Sequence, residues 1–344
     1  MTRPTPTRGF TLVELMIAMT LGLVLVGGAL KVFINSSATY GVHEAESRLE
    51  ENARYATSVL EGDLRMAGYW GYAKGVSGIT GTTLQTDAAA TTLAGSASQT
   101  CGTNFGTDLG TPVEGSNDEY ALACAAYQGR AMPSADTVTI RRASANASSV
   151  SASATGPLRI CSTRTTVALV NSVSGCQADQ TPSNLSAGTI RDLVVHTYYV
   201  ARDASSGSNL PTLWRKSLNN VGTVPTFQDE EILPGVEDLQ VQLGIDYTGT
   251  TGIAQQYVNP VAAAALPSGA QVVAIRLWIL VRSDTAEPGF TDSRTYAYGN
   301  RSALSGTTHD LTGGSGAGFA YQPNDHYRRL LVSRTVMIRN VLGT

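Results

Sequence analysis

Between Phe10 and Ile34 the chain is almost wholly apolar, with Glu14 near the start and Lys31 near the end as its charged residues. A helix of about 25 residues rises roughly 37 Å, enough to cross a bilayer. Beyond Ile34 the pattern changes. Val42, Ala45, Leu49, Ala53, Ala56, Leu60, Leu64 and Ala67 recur at spacings of three and four, the mark of an amphipathic helix. Glu44, Glu46, Arg48, Glu50, Glu51 and Arg54 fill mostly the other faces, and Gly68 supplies a stop. One helix from Phe10 to Ala67, about 85 Å long, accounts for both patterns. An anchor followed by a separate globular helix accounts for them too. Gly22, Gly27 and Gly28 weaken the apolar half by about 1 kcal/mol each; they permit close helix packing or local unwinding.

After Gly68 the period shortens. Strand patterns occupy Thr137–Arg141, Leu158–Cys161, Thr165–Val170, Leu193–Ala201, Thr212–Leu218, Glu231–Tyr247, Gln271–Arg282 and Arg329–Arg339. In the sixth, Leu239, Val241, Leu243 and Ile245 alternate with Gln240, Gln242, Gly244 and Asp246, which predicts a half-buried strand. Residues 75–118 and 143–157 are rich in Gly, Thr, Ala and Ser without periodicity and read as long loops. Tyr69 and Trp70, after the helix stop, are placed as lids on the start of the core. One long helix, then loops, then a succession of strands predicts an α+β fold, with an antiparallel sheet packed on the distal half of the helix.

Composition narrows the function. The net charge is −3 and charged residues are 15% of the chain, so there is no basic surplus for nucleic acid. Cys101, Cys124, Cys161 and Cys176 all follow the apolar segment. An even number on an oxidising side of a membrane predicts two disulfides. Of the three pairings, the sequence-local one is Cys101–Cys124 with Cys161–Cys176. The spacings suit neither a C-x-x-C redox pair nor a zinc knuckle, and His43, His196, His309 and His326 are scattered, so no metal or cofactor is expected. Asp108, Asn117, Asp118 and Glu119 lack the EF-hand pattern and read as a solvated turn.

Catalytic signatures are equally thin. There is no G-x-S-x-G elbow, P-loop or H-E-x-x-H. Gly313–Gly318 is glycine-rich but lies between polar stretches, so it reads as a loop. His309-Asp310 and Asp325-His326 have no nucleophile motif beside them and read as exposed loop residues. Arg328, Arg329, Arg334 and Arg339 sit on an expected strand, where solvation or partner contacts account for them. The chain is not expected to be an enzyme.

The start of the chain is more specific. Arg3 and Arg8 precede the apolar run, so the first nine residues are expected in the cytoplasm and everything after about residue 34 outside it. Glu14 lies inside the run, where a carboxylate costs several kcal/mol unless it is paired or neutralised. A position near the interface tolerates it; a free amine at Phe10, made by cleavage after Gly9, would pair it. Arg8-Gly9-Phe10-Thr11-Leu12-Val13-Glu14 resembles the leader of type IV pilins, the class III signal. The resemblance implies that a prepilin peptidase cuts between Gly9 and Phe10 and N-methylates Phe10. It implies that the helix serves as membrane anchor and as filament core, and that Glu14 pairs with a neighbour's N-terminal amine. A secretory signal peptide would instead be removed with its apolar region, at a site such as Ala29 or Asn35–Ala38.

Further blocks resemble the PilW family of minor pilins: Leu49–Ala56 (LEENARYA) with Asp63–Gly71 (DLRMAGYWG), Ile232–Tyr247, Val272–Ser283 and Tyr327–Asn340. That resemblance implies a leader at 1–9, a transmembrane and filament-core helix at 10–34, an amphipathic helix at 35–68 and a β-rich globular domain at 69–344. It implies a minor pilin in a complex that initiates pilus polymerisation at the inner membrane and sits near the tip. Its expected partners are other minor pilins, the major pilin, the prepilin peptidase and the inner-membrane assembly platform, with the C-terminal domain periplasmic. Two alternatives stand beside it: a membrane-anchored adhesin whose 75–190 region binds a ligand, and a minor pseudopilin of a type II secretion system.

Overall fold

A computed structural model describes residues 9–72, 101–102, 105–146, 158–162, 167–170, 189–219, 226–260, 266–301 and 320–340. The chain forms two compact units, Met1–Arg48 and Leu49–Thr344, and the helix α1, Leu12–Met66, belongs partly to each. α1 is unbroken through Gly22, Gly27 and Gly28, so of the two behaviours that these glycines permit, local unwinding is not the one seen. It begins two residues later than the apolar pattern does, because Thr11 stands outside it as the cap. At the other end Gly68 adopts φ +71° and turns the chain away. The Asn340 side-chain amide donates to the orphan carbonyls of Arg65 and Ala67 at 3.2 and 3.4 Å.

Among the described residues eleven strands follow: β1 Val113–Ser116, β2 Thr137–Ala143, β3 Arg159–Ser162, β4 Val167–Val170, β5 Thr189–Ala201, β6 Thr212–Asn219, β7 Thr226–Pro234, β8 Val236–Asp246, β9 Gln256–Val258, β10 Gln271–Arg282 and β11 Arg329–Met337. They form two antiparallel sheets. In the first, β5 is the organising strand: it pairs β3 through Thr189–Asp192, β2 through Leu193–Tyr198 and β6 through His196–Ala201. β1, β4 and β7 complete it. The second runs β11-β10-β8-β9. The expected single run Glu231–Tyr247 is two strands, because Gly235 at φ +89° passes the chain from one sheet to the other. A side chain there would come within 2.9 Å of the Arg282 carbonyl oxygen.

The core is where the period-3.6 stripe of the helix meets the period-2 faces of the strands. Leu49, Ala53, Ala56, Leu60, Leu64 and Ala67 are buried against Ile140, Tyr198 and Leu213 of the first sheet and Leu239, Val241, Leu243, Ile275 and Ile279 of the second. A second cluster gathers Trp70, Phe105, Leu158, Ile160, Leu169, Leu193 and Val195. Trp70 is therefore a core residue of its own cluster, with Tyr69 packed half-buried beside it. Inside the segment read as a loop over 75–118, β1 pairs with β2; residues 73–100, and 147–157 of the second expected loop, lie outside the described residues. The other departure concerns β8. Its polar face is also buried, because Asp238 and Gln240 lie under the segment that carries Tyr298 and Arg301.

Candidate assembly surfaces and the comparisons

From Phe10, just before α1, to Ile34 within it, the chain exposes its apolar side chains all round: Phe10 is 87% exposed, Leu23 77% and Phe33 70%. Mean hydropathy over its most apolar 18 residues is 2.2, and the helix is long and apolar enough to cross a membrane. An exposed apolar surface of this extent needs lipid or protein around it. Glu14 breaks the run near its start, as Lys31 does near its end, and it is not idle. The Thr11 hydroxyl oxygen accepts the Glu14 N–H at 3.2 Å, while the Glu14 carboxylate accepts the Thr11 N–H at 3.4 Å and its hydroxyl at 3.5 Å. This is a capping box, with two orphan donors of the helix start satisfied reciprocally. Thr11-Leu12-Val13-Glu14 carries the sequence signature of this cap. The cleavage and methylation expected at Gly9 and Phe10, and the pairing of Glu14 with a neighbour's amine, concern a processed chain and its partners.

In the globular unit a second polar residue interrupts an apolar helix face. Asp63 lies between Leu60 and Leu64, buried, and its carboxylate accepts from the Arg142 guanidinium at 2.8 Å, from the Tyr198 hydroxyl and from His196 Nδ1. Burial pushes the Asp63 carboxyl up, but the hydrogen bond and charge of His196, the Tyr198 hydroxyl and Arg142 together hold it well below the usual carboxylate range. The network ties the helix to β2 and β5. A lone aspartate on an otherwise apolar stripe is the sequence signal for it.

Most of the arginines expected on a surface strand are committed within the domain. Arg329 is buried, paired with Glu237 and Asp325, and within 3.7 Å of Asp292. Arg328 pairs with Glu287 and Arg334 with Glu61 at 3.5 Å, whereas Arg339 is exposed. Asp325 and His326 are also structural: Asp325 takes Arg329, and His326 Nδ1 meets the Phe290 carbonyl. Asp118, weighed for a calcium loop, accepts from Asn300 at 2.6 Å and lies 3.9 Å from Arg301. Among the described residues no group of acidic, histidine or cysteine side chains is arranged to hold a metal. His309-Asp310 and Gly313–Gly318 lie outside them.

The disulfide Cys101–Cys124 is present. It holds the segment from Tyr120 to Ala131 over Tyr199 and Trp214 on the outer face of the first sheet, where the Tyr127 and Trp214 rings stack at 3.9 Å. Cys161 is buried in β3; its expected partner, Cys176, lies outside the described residues. Along the edge strand β11 runs an open groove of about 400 Å³, lined by Ala53, Arg54 and Thr57 of α1 and by Leu330, Val332 and Arg334.

Residues 5–30 match the prokaryotic N-terminal methylation motif, and residues 197–340 match the family described as Type IV Pilus-assembly protein W. The pilin-like protein PilA3 of Thermus thermophilus is 37% identical over 65 residues, which are 18% of this chain and 28% of that protein's length. A solved type IV-like pilin from Thermus thermophilus aligns over 86% of this chain and 99% of its own, at 15% identity and a TM-score of 0.34. The methylation motif that opens the long apolar helix, and the antiparallel sheets that follow it, are features in which the chain resembles type IV pilins. The match to the Type IV Pilus-assembly protein W family covers the last five residues of β5 and all of β6 to β11.

Proposed function

We propose that the chain acts as a minor pilin in the assembly of a type IV pilus. The leader is cut after Gly9, Phe10 is N-methylated, and the apolar part of α1 leaves the bilayer to pack among the helices of other subunits. The globular unit lies on the periplasmic side before assembly. The protein joins other minor pilins in the complex that starts polymerisation and stays near the tip, with the major pilin, the prepilin peptidase and the inner-membrane platform as partners. The observation that carries this reading is the apolar helix segment exposed on every side, opened by Gly9-Phe10 and interrupted at Glu14.

The mechanism is packing. In lipid the Glu14 carboxylate near the headgroups is tolerable; in a filament core it needs a cation. A neighbour's Phe10 amine supplies one. A subunit at the extreme tip has no such neighbour above it and no need of the carboxylate, so the presence of Glu14 supports a position below the uppermost one. Deletion of the chain tests the role: loss of piliation with secretion intact supports it, whereas loss of type II secretion with pili intact assigns the chain to a pseudopilus instead.

A further inference from the structure

The outer face of the second sheet carries a device that nothing above uses. Ile275, Leu277 and Ile279 of β10 point into the core, so Arg276 and Trp278 lie on the opposite face. Register fixes their neighbours. Arg276 sits between Gln242 and Thr335, Trp278 between Gln240 and Ser333, and Gly244 between Tyr257 and Ala274. Tyr257, Arg276 and Trp278 are half-exposed, and Met337 at the rim is 59% exposed.

The Arg276 guanidinium lies over the Tyr257 ring, 4.0 Å from its centroid, and 5.9 Å from that of Trp278. Gly244 makes this possible: a side chain there would come within 3.0 Å of the Tyr257 ring. The cation is thus held in place, yet its guanidinium makes no hydrogen bond or ion pair among the described residues. In the same half of the domain Arg282, Arg294, Arg301, Arg328, Arg329 and Arg334 each have a carboxylate. A guanidinium presents five donors in a rigid fork suited to a carboxylate. The rows around it hold Gln242, Ser333 and Thr335 and no acidic side chain.

We propose that this face is a protein-docking surface, and that Arg276 receives a carboxylate from an acidic segment of another pilus subunit. The choice of subunit rests on the pilin reading above; the chemistry rests on the face itself. Tyr, Trp, Arg and Met are the residues enriched where proteins bury each other, and Lys, Asp and Glu are depleted there. A guanidinium fixed on aromatic rings loses little freedom on binding, so the contact is preorganised.

The test uses the full chain in its native cells, with a photo-crosslinking benzophenone amino acid at position 335 and, separately, at position 24 of the helix. The expected result is an adduct at 335 with another pilus subunit, mapped to a segment containing Asp or Glu. In Arg276→Glu its yield falls about tenfold or more, as for a buried hot-spot residue, and it returns when the mapped carboxylate is replaced by Arg. Arg276→Lys keeps the charge but not the fork and gives an intermediate yield. Membrane level and the Cys101–Cys124 bridge confirm that each variant folds. An adduct at 24 with none at 335, an adduct at 335 indifferent to Arg276→Glu, or one with glycan or lipid overturns the docking proposal and leaves the pilin reading standing. No subunit adduct at either position sinks both.

Discussion

Thr11 and Glu14 cap each other at the start of α1, the hydroxyl of one taking the N–H of the other and the carboxylate reaching back to the first N–H. The residue that an assembly reading needs for its charge therefore also has a local duty. The two separate by substitution. Glu14→Gln keeps an acceptor for the Thr11 N–H and loses the charge, whereas Glu14→Ala loses both. If charge pairing drives assembly, both variants insert normally and both lower pilus number, compared at equal membrane levels. Assembly retained by Glu14→Gln and lost only in Glu14→Ala assigns Glu14 to capping.

Asp63 should matter for stability rather than for contacts between subunits. Asp63→Ala leaves Arg142 and His196 without their carboxylate in a largely buried place, at a cost of about 3–5 kcal/mol. The carboxyl is depressed in the folded chain, so its contribution is present above its unfolded pKa, about 4, and fades as pH falls below that. Denaturant unfolding of the full chain in detergent, repeated between neutral pH and about pH 3, checks both points. The acid dependence should be smaller in the Ala variant by the share that Asp63 supplies, with Glu230, Asp292 and Asp325, also depressed, keeping theirs.

That network shows what sequence periodicity conveys and what it hides. The stripe from Leu49 to Ala67 was legible because a helix core repeats at three and four, and it is buried as the spacing predicts. The strands β5, β6, β10 and β11 were legible through β-branched and aromatic runs. Partners distant in sequence were not. Asp63 and His196 are 133 residues apart, and nothing in either local pattern announces the other. β8 misled for a related reason: Asp238 and Gln240 alternate as surface residues do, yet Arg301 and Tyr298 arrive from another segment to cover them. The turn at Gly235 was missed because hydrophobic pattern runs straight across it.

Leu60 faces the junction of α1 with both sheets and is fully buried. Leu60→Ala should cost about 2–5 kcal/mol, the range for a buried leucine whose cavity cannot collapse. Thermal unfolding followed by near-ultraviolet circular dichroism would register it; an effect within about 0.5 kcal/mol, the spread of ordinary surface substitutions, would mean that the helix is not packed on this core.

Cysteine chemistry offers an independent check. Breaking Cys101–Cys124, which closes a separation of 23 residues, should cost roughly 3 kcal/mol on the chain-entropy account. It should also loosen Tyr120 and Tyr127 from Tyr199 and Trp214. Non-reducing peptide mapping should return this bridge together with Cys161–Cys176, and a free thiol at Cys161 would refute the second pairing.

The central claim is that the chain is processed as a pilin, and the mature N-terminus tests it most directly. Intact-mass and N-terminal peptide analysis of the protein from its native membranes should give a chain that starts at N-methyl-Phe10, with unprocessed precursor accumulating when Gly9 is replaced by a bulky residue. A mature chain that starts near residue 39, or one that keeps Met1–Gly9 in wild-type cells with an active prepilin peptidase, would contradict it.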